Sequence, residues 1–255
     1  MSGGLPALSV NVNKVATLRN ARGGDVPSVV EAVRVVLDAG CRGITVHPRA
    51  DARHITPDDV RAVAAALAAR TEAVELNIEG DPRPDLLALV HEVGPAQCTL
   101  VPVRPGEVTS EAGWPADTPA AALAHTVEQL RAADIRVSVF VDATEPAVRW
   151  AAGLGADRVE LYAEPYARAF ARGAGEAALG AFLRAAEQAH ALGLGVNAGH
   201  DLDLDNLPLF RRLPHLAEVS IGHALVSHAL FVGLDRAVRD YLAALAGPPA
   251  GGAVE

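Results

Sequence analysis

Cysteine, methionine and lysine are almost missing from this chain, and aromatic residues are sparse. Among 255 residues there are two Cys, one Met and a single lysine, and Phe, Trp and Tyr together make up 4%. Cys41 and Cys98 lie far apart without CxxC spacing, so a disulfide framework and a thiolate metal site are both excluded, and the two read as reduced core residues. With so few aromatics, the core has to be built from Ala, Val and Leu, which an apolar content of 50% supplies. Positive charge is also short: 22 Lys and Arg stand against 31 Asp and Glu, for a net charge of -9. No broad basic field is available for a phosphate backbone, so no nucleic-acid partner is expected. No apolar run approaches the roughly 18 residues of a membrane helix, and the chain does not open on a basic and then apolar leader. A soluble cytoplasmic protein with no membrane partner is expected.

What the chain does have is period. Short β-branched runs occur at 8–13, 43–48, 73–80, 97–103, 136–142, 158–164, 195–200 and 218–225. Between them lie amphipathic stretches such as DVPSVVEAVRVVLDAG, TPDDVRAVAAALAAR and EAALGAFLRAAEQAHALG, with acids or caps early and glycine or basic residues late. Residues 206–214 read as a short seventh helix and FVGLDRAVRDYLAALAG as the eighth, ahead of a tail at 248–255 expected to be disordered. Strict alternation of strand and helix predicts right-handed βαβ units and a parallel sheet. Eight repeats in a chain of this length predict an α/β fold, the (β/α)8 TIM barrel with extra short helices, formed as one domain over 1–255 with its core at 8–247. A doubly wound open sheet is the rival, but no GxGxxG follows the first strand.

In such barrels chemistry sits where strands end. The stretch GITVHPRADARHI places His47, Arg49, Asp51, Arg53 and His54 just there, and almost every other strand delivers polar residues too. Asn11, Asn13 and Lys14 close the first run, Glu79 the third, Glu160, Tyr162 and Glu164 the sixth, His200 and Asp201 the seventh, Gly222 and His223 the eighth. The long connections RPGEVTSEAGWPADTP and PYARAFARGAG have the polar, glycine-bearing character of lids. His47, His54, His200 and His223 form no HxH or HExxH pair, so no metal is expected.

Seven motifs in order, NVNKVATLRNARGG, GITVHPRADARHI, LNIE, LVPVRPGEVTSEAG, VSVFVDA, GLGVNAGH and SIGHALVSHALFVGL, make the chain from about residue 8 to 243 similar to the pyridoxine 5′-phosphate synthase family. The resemblance implies a homo-octameric barrel without metal or organic cofactor. Its substrates would be small phosphorylated keto and amino-ketone compounds: 1-deoxy-D-xylulose 5-phosphate and 3-amino-2-oxopropyl phosphate, condensed to pyridoxine 5′-phosphate, phosphate and water. By the same resemblance His47 is the catalytic base, Glu79 a second acid/base and His200 a proton donor. Arg49, His54 and Thr109 would hold the deoxyxylulose phosphate, and Asn11, Arg22, Gly222 and His223 the amino ketone phosphate. The residue types suit the task, since histidine moves protons near neutral pH and cations or backbone donors clamp phosphates.

The chain also departs from the family pattern. Asn13-Lys14 replaces Asp-His, Asp201 replaces a glycine after the VNAGH histidine, and Tyr162 and Glu164 fall within a Glu-x-His-Thr-Gly pattern. A carboxylate at Asp201 would repel a dianion unless it turned outward or met a cation. Lys14, alone against 21 arginines, is expected to pair with a phosphate or carboxylate ahead of forming an imine with a ketone. Two readings stand behind the synthase: a diverged enzyme joining another keto compound to an amine, and a silent ligand-binding barrel.

Overall fold

A side chain every second residue points to the same face of a strand, and here the two faces differ in kind. The computed structural model describes residues 5–104, 106–107 and 110–247. Eight parallel strands close into a barrel, each hydrogen-bonded to the next and the last to the first. They are β1 (Ala7–Asn11), β2 (Gly43–Val46), β3 (Glu75–Gly80), β4 (Gln97–Leu100), β5 (Arg136–Val141), β6 (Arg158–Tyr162), β7 (Gly195–Gly199) and β8 (Leu216–Ile221). The helices are α1 (Asn13–Asn20), α2 (Val29–Asp38), α3 (Pro57–Ala68), α4 (Pro84–Val93), α5 (Ala121–Ala132), α6 (Glu145–Gly153), α7 (Glu164–Phe170), α8 (Gly175–Ala191), α9 (Leu207–Phe210), α10 (His223–Val232) and α11 (Leu234–Ala246). The architecture is a (β/α)8 TIM barrel with additional short helices.

One set of alternate strand residues, including Val10, Ile44, Ile78, Cys98, Val139, Leu161 and Val219, is fully buried in the apolar layer shared with the helices. The other set is mainly polar, with Phe140 an exception on β5. Ser9 Oγ and Thr45 Oγ1 lie 2.7 Å apart, Thr99 donates to Asn77 Oδ1, and Asn197 on β7 reaches Gln97 on β4. Because β4 and β7 are not neighbours, that last bond crosses the lumen. A barrel interior is ordinarily filled by branched aliphatic layers, and this one is hydrogen-bonded instead.

Helix starts follow local chemistry. Thr56 and Asp59 form a reciprocal capping box ahead of Pro57 at the head of α3, while the Ser28 and Thr144 hydroxyls accept from Glu31 N and Ala147 N on α2 and α6. Some sequence expectations are corrected. The run 218–225 is not one strand: β8 stops at Ile221, and His223 begins α10. Asn13 and Lys14 do not end β1 but open α1, and the expected helix at 206–214 shortens to α9. PYARAFARGAG lies mostly within α7, whose Tyr166 is fully buried and donates to Asn206 O, so it is packed structure and not a lid. Thr109 and the tail expected at 248–255 lie outside the described residues. Among the described residues no helix is long and apolar enough to cross a membrane.

Candidate active site

The C-terminal strand ends converge on a cavity of about 460 Å³. Asn11 ties its first side together: Oδ1 accepts from Asn13 N at 3.0 Å and Nδ2 donates to Glu79 Oε2 at 3.4 Å. Asn13 in turn accepts from His47 N at 3.0 Å, so its carbonyl fixes the chain that carries His47. His47 Nδ1 stands 3.8 Å from Glu79 Oε2. His47 Nε2 is buried with no hydrogen-bond partner among the described residues.

Burial sets the protonation of this pair. It pushes the Glu79 carboxyl up to about 8, helped by Glu218 and opposed by the Ser220 hydroxyl. It also drives the His47 imidazole well below its usual 6.5, reinforced by Arg49, His54, His200 and Arg83. At neutral pH the site therefore holds a protonated carboxylic acid beside a free imidazole base. Groups whose environments push them apart in this way are the mark of divided acid and base roles.

The cationic wall comes from β2 and α1. Arg49 is 8% exposed, and neither its side chain nor that of Lys14 makes a hydrogen bond or ion pair among the described residues. Burial and Arg53 work against the Arg49 charge, and Asp51, Glu107 and Asp81 support it only from a distance; a desolvated guanidinium with no direct partner is costly, and a bound anion offsets that cost. His54 is lowered to about 4 by burial and by Arg49, Lys14 and Arg53. Its Nδ1 accepts from Ile55 N at 2.9 Å, which leaves Nε2 to carry the proton, so His54 faces a ligand as a neutral donor. On the other side, His200 and Asp201 both have left-handed backbone, with φ of 72° and 59°. That conformation costs an L residue about 1–2 kcal/mol. Asn206 Nδ2 secures the turn through Asp201 O at 3.0 Å. Asp201 is exposed at the cavity rim and makes no ion pair with Lys14. Gly222 caps α10, and a Cβ there would lie 3.0 Å from Asn11 Cβ. The first turn of α10, with His223 and Ala224, opens onto the cavity, where unpaired backbone N–H groups favour an anion.

Comparison with known proteins settles the lineage. The family model for "Pyridoxal phosphate biosynthesis protein PdxJ" matches residues 8–247. The chain belongs to the PdxJ family. A pyridoxine 5′-phosphate synthase of Bacteroides thetaiotaomicron is 52% identical over 238 residues, covering 92% of this chain and 97% of the relative. One from Porphyromonas gingivalis is 50% identical over 238 residues, with 92% and 96% covered. Among solved structures, phosphoribosylanthranilate isomerase of Thermotoga maritima aligns with a TM-score of 0.60 at 11% identity over 96% of this chain and all of that one, a likeness of fold alone.

In this PdxJ barrel, Asn11, Asn13, Lys14, His47, Arg49, His54, Glu79, His200, Asp201, Gly222 and His223 all line one cavity. Arg22 does not: it is exposed, away from the lining. Sequence reasoning placed Glu160 at the end of the sixth run but gave it no role; it lines the cavity from β6, buried, with Oε2 lacking any partner among the described residues. Burial, Glu79 and Glu218 raise its carboxyl well above the usual range. A methyl group at Gly199 would overlap the Glu160 carboxyl, so the small residue of VNAGH makes room for it. The signal was present, since Glu160 stands two residues before Tyr162 on the same strand face. Among the described residues no cluster of three or more His, Cys, Asp or Glu could hold a metal ion.

Proposed function

We propose that this PdxJ-family enzyme is a pyridoxine 5′-phosphate synthase, joining 1-deoxy-D-xylulose 5-phosphate to 3-amino-2-oxopropyl phosphate with release of phosphate and water. The observation that carries the reading is the His47–Glu79 pair, base and acid 3.8 Å apart with complementary protonation. Imine formation, dehydration and ring closure each need a proton removed at one atom and delivered at another. His47 takes a proton from substrate carbon or nitrogen, and Glu79, with Glu160 as a second protonated carboxyl, supplies one to the departing oxygen. His200 is lowered by burial and by Lys14, with Asp201 opposing, and so rests neutral. It must accept a proton within the cycle before it can donate one. Arg49, Lys14 and the Nε2–H of His54 clamp one phosphate, while the α10 N-terminus at Gly222 and His223 receives the other.

Half-identical relatives bearing the synthase name support the usual substrates over a diverged pair. A cytoplasmic homo-oligomer completes the proposal, with Leu230 and Phe231, 69% and 89% exposed at the end of α10, offering apolar surface to a second copy. Turnover of the two phosphorylated substrates, followed by product mass and released phosphate, tests the reading. Product whose formation is lost in His47→Ala supports it, and a folded protein that forms none overturns it.

A further inference from the structure

The proposed proton donor His200 lacks the usual tether. A working histidine is normally oriented by a hydrogen bond from one ring nitrogen to a carboxylate or carbonyl. Neither nitrogen of His200 makes such a bond among the described residues, and its neighbours Asp201 and Lys14 act on it only through their charge. Two aromatic rings do touch it. The Phe140 centroid lies 5.2 Å from the imidazole at an interplanar angle of 53°, and that of Tyr162 lies 5.5 Å away, edge-on at 79°. Phe140 and Tyr162 are themselves 5.5 Å apart, so the three rings close a triangle. With Val101 the two form a small buried cluster separate from the main core. In a chain with five Phe and three Tyr, two meeting at one imidazole are a concentrated use of a scarce residue type.

The strands set this up. Tyr162 ends β6 in register with Gly199, the residue before His200, and Ala163 N bonds Gly199 O at 2.9 Å. Phe140 is held from the other side, its carbonyl accepting from Trp114 N at 2.9 Å. Aromatic pairs prefer tilted or edge-on contacts at centroid separations of about 4.5–7 Å, and all three distances fall in that range.

We propose that Phe140 and Tyr162 are positioning residues for His200: their rings, and not the Tyr162 hydroxyl, fix the plane of the imidazole and keep water from its inner side. The inference rests on His200 acting in the synthase reaction. It gives a task to Tyr162, one of the positions at which the sequence departs from the family pattern.

The test compares Tyr162→Ala, Tyr162→Leu, Tyr162→Phe and Phe140→Leu, with His200→Gln as the reference. Steady-state kinetics across pH would be combined with NMR of the full protein labelled at histidine, the His200 ring signal being assigned by its loss in His200→Gln. In Tyr162→Ala we expect kcat to fall about 10–100-fold with KM little changed, as for lost orientation of a reacting group. The His200 titration should move up towards the ordinary histidine value as water enters. Tyr162→Phe should restore both. If Tyr162→Ala does not fold, Tyr162→Leu and Phe140→Leu carry the same readouts. An unmoved His200 titration and wild-type kcat in a folded ring-deleting variant overturn the proposal, as does a Tyr162→Phe enzyme as impaired as Tyr162→Ala. Full turnover in His200→Gln would instead overturn the role of His200 itself.

Discussion

The barrel lumen holds glutamates at both ends, and the two ends treat them differently. At the floor, Glu218 accepts from Asn197 at 3.3 Å and lies 4.0 Å from the Arg158 guanidinium, while Arg136 alongside pairs with Glu75 and donates to Gln97. Burial still raises the Glu218 carboxyl, but Arg158 and Arg136 work against the shift. At the mouth, Glu79 meets a long amide contact from Asn11, the Ser220 hydroxyl and a neutral imidazole, none of them a full positive charge, and one oxygen of Glu160 has no partner among the described residues. The cations of the mouth, Arg49 and Lys14, stand on the wall and leave both acids unneutralised. The same side chain in the same lumen is thus tied into a charged network where a guanidinium meets it and held protonated where none does, which is the state the proposed acid role requires.

Glu79→Gln should break this contrast most sharply. Turnover should fall by about 10²–10⁴-fold, the usual size of a lost acid/base group. Stability should move the other way. The unfolded chain loses the Glu79 proton near 4.5, whereas the folded protein keeps it to about 8. The native state is therefore progressively penalised as pH rises from the first value to the second, and the amide removes the penalty. A melting temperature at pH 8 that rises in the variant is the expected result, and a fall would mark Glu79 as structural. The pH profile of the wild-type enzyme sharpens the same point. With Glu79 as the acid, kcat/KM should decline above about pH 8. On the acid side, activity should persist well below pH 6.5, because His47 and His54 stay neutral there.

Lys14→Met comes next, acting on the wall and not on the acids. Loss of one charge-assisted phosphate contact should raise KM by about 10-fold or more, with kcat less affected. Borohydride trapping with the ketone substrate should leave Lys14 unmodified, and a substrate adduct on its peptide would convert it into an imine-forming residue. The smallest effect on turnover belongs to the floor. Glu218→Gln should leave kcat within a few-fold, and because burial raises the Glu218 carboxyl while Arg158 and Arg136 oppose the shift, its melting temperature at pH 8 should rise less than that of Glu79→Gln. A large kcat loss there would erase the distinction between the two ends.

Much of this was legible in residue order. Period two against period 3.6 located the strands, and a polar residue at nearly every strand end pointed to the mouth; the family resemblance then singled out His47, Glu79 and His200 among them. Glu160 and the polar lumen were harder. Reading each strand only for its apolar members conceals that Ser9, Thr45, Asn77, Thr99 and Asn197 occupy the alternate face, and that face shows itself only when β4 and β7 meet across the barrel. The boundary at Ile221 was missed because SIGHALV is as apolar as a strand, and the switch to helix is made by Gly222 packing against Asn11, a contact from the far end of the chain. The unpaired state of Arg49 and the fixed tautomer of His54 depend on atoms that no sequence pattern specifies.

That Gly222 contact has a consequence for how the enzyme can change over time. Asn11 is the residue against which Gly222 is pressed and also the donor that steadies Glu79. A side chain gained at position 222 would displace Asn11 and with it the acid, so the cost of the substitution depends on what occupies position 11. Positions 11 and 222 are tied as a genetic pair: a change at one is expected to survive only in backgrounds already altered at the other, although 210 residues of chain lie between them.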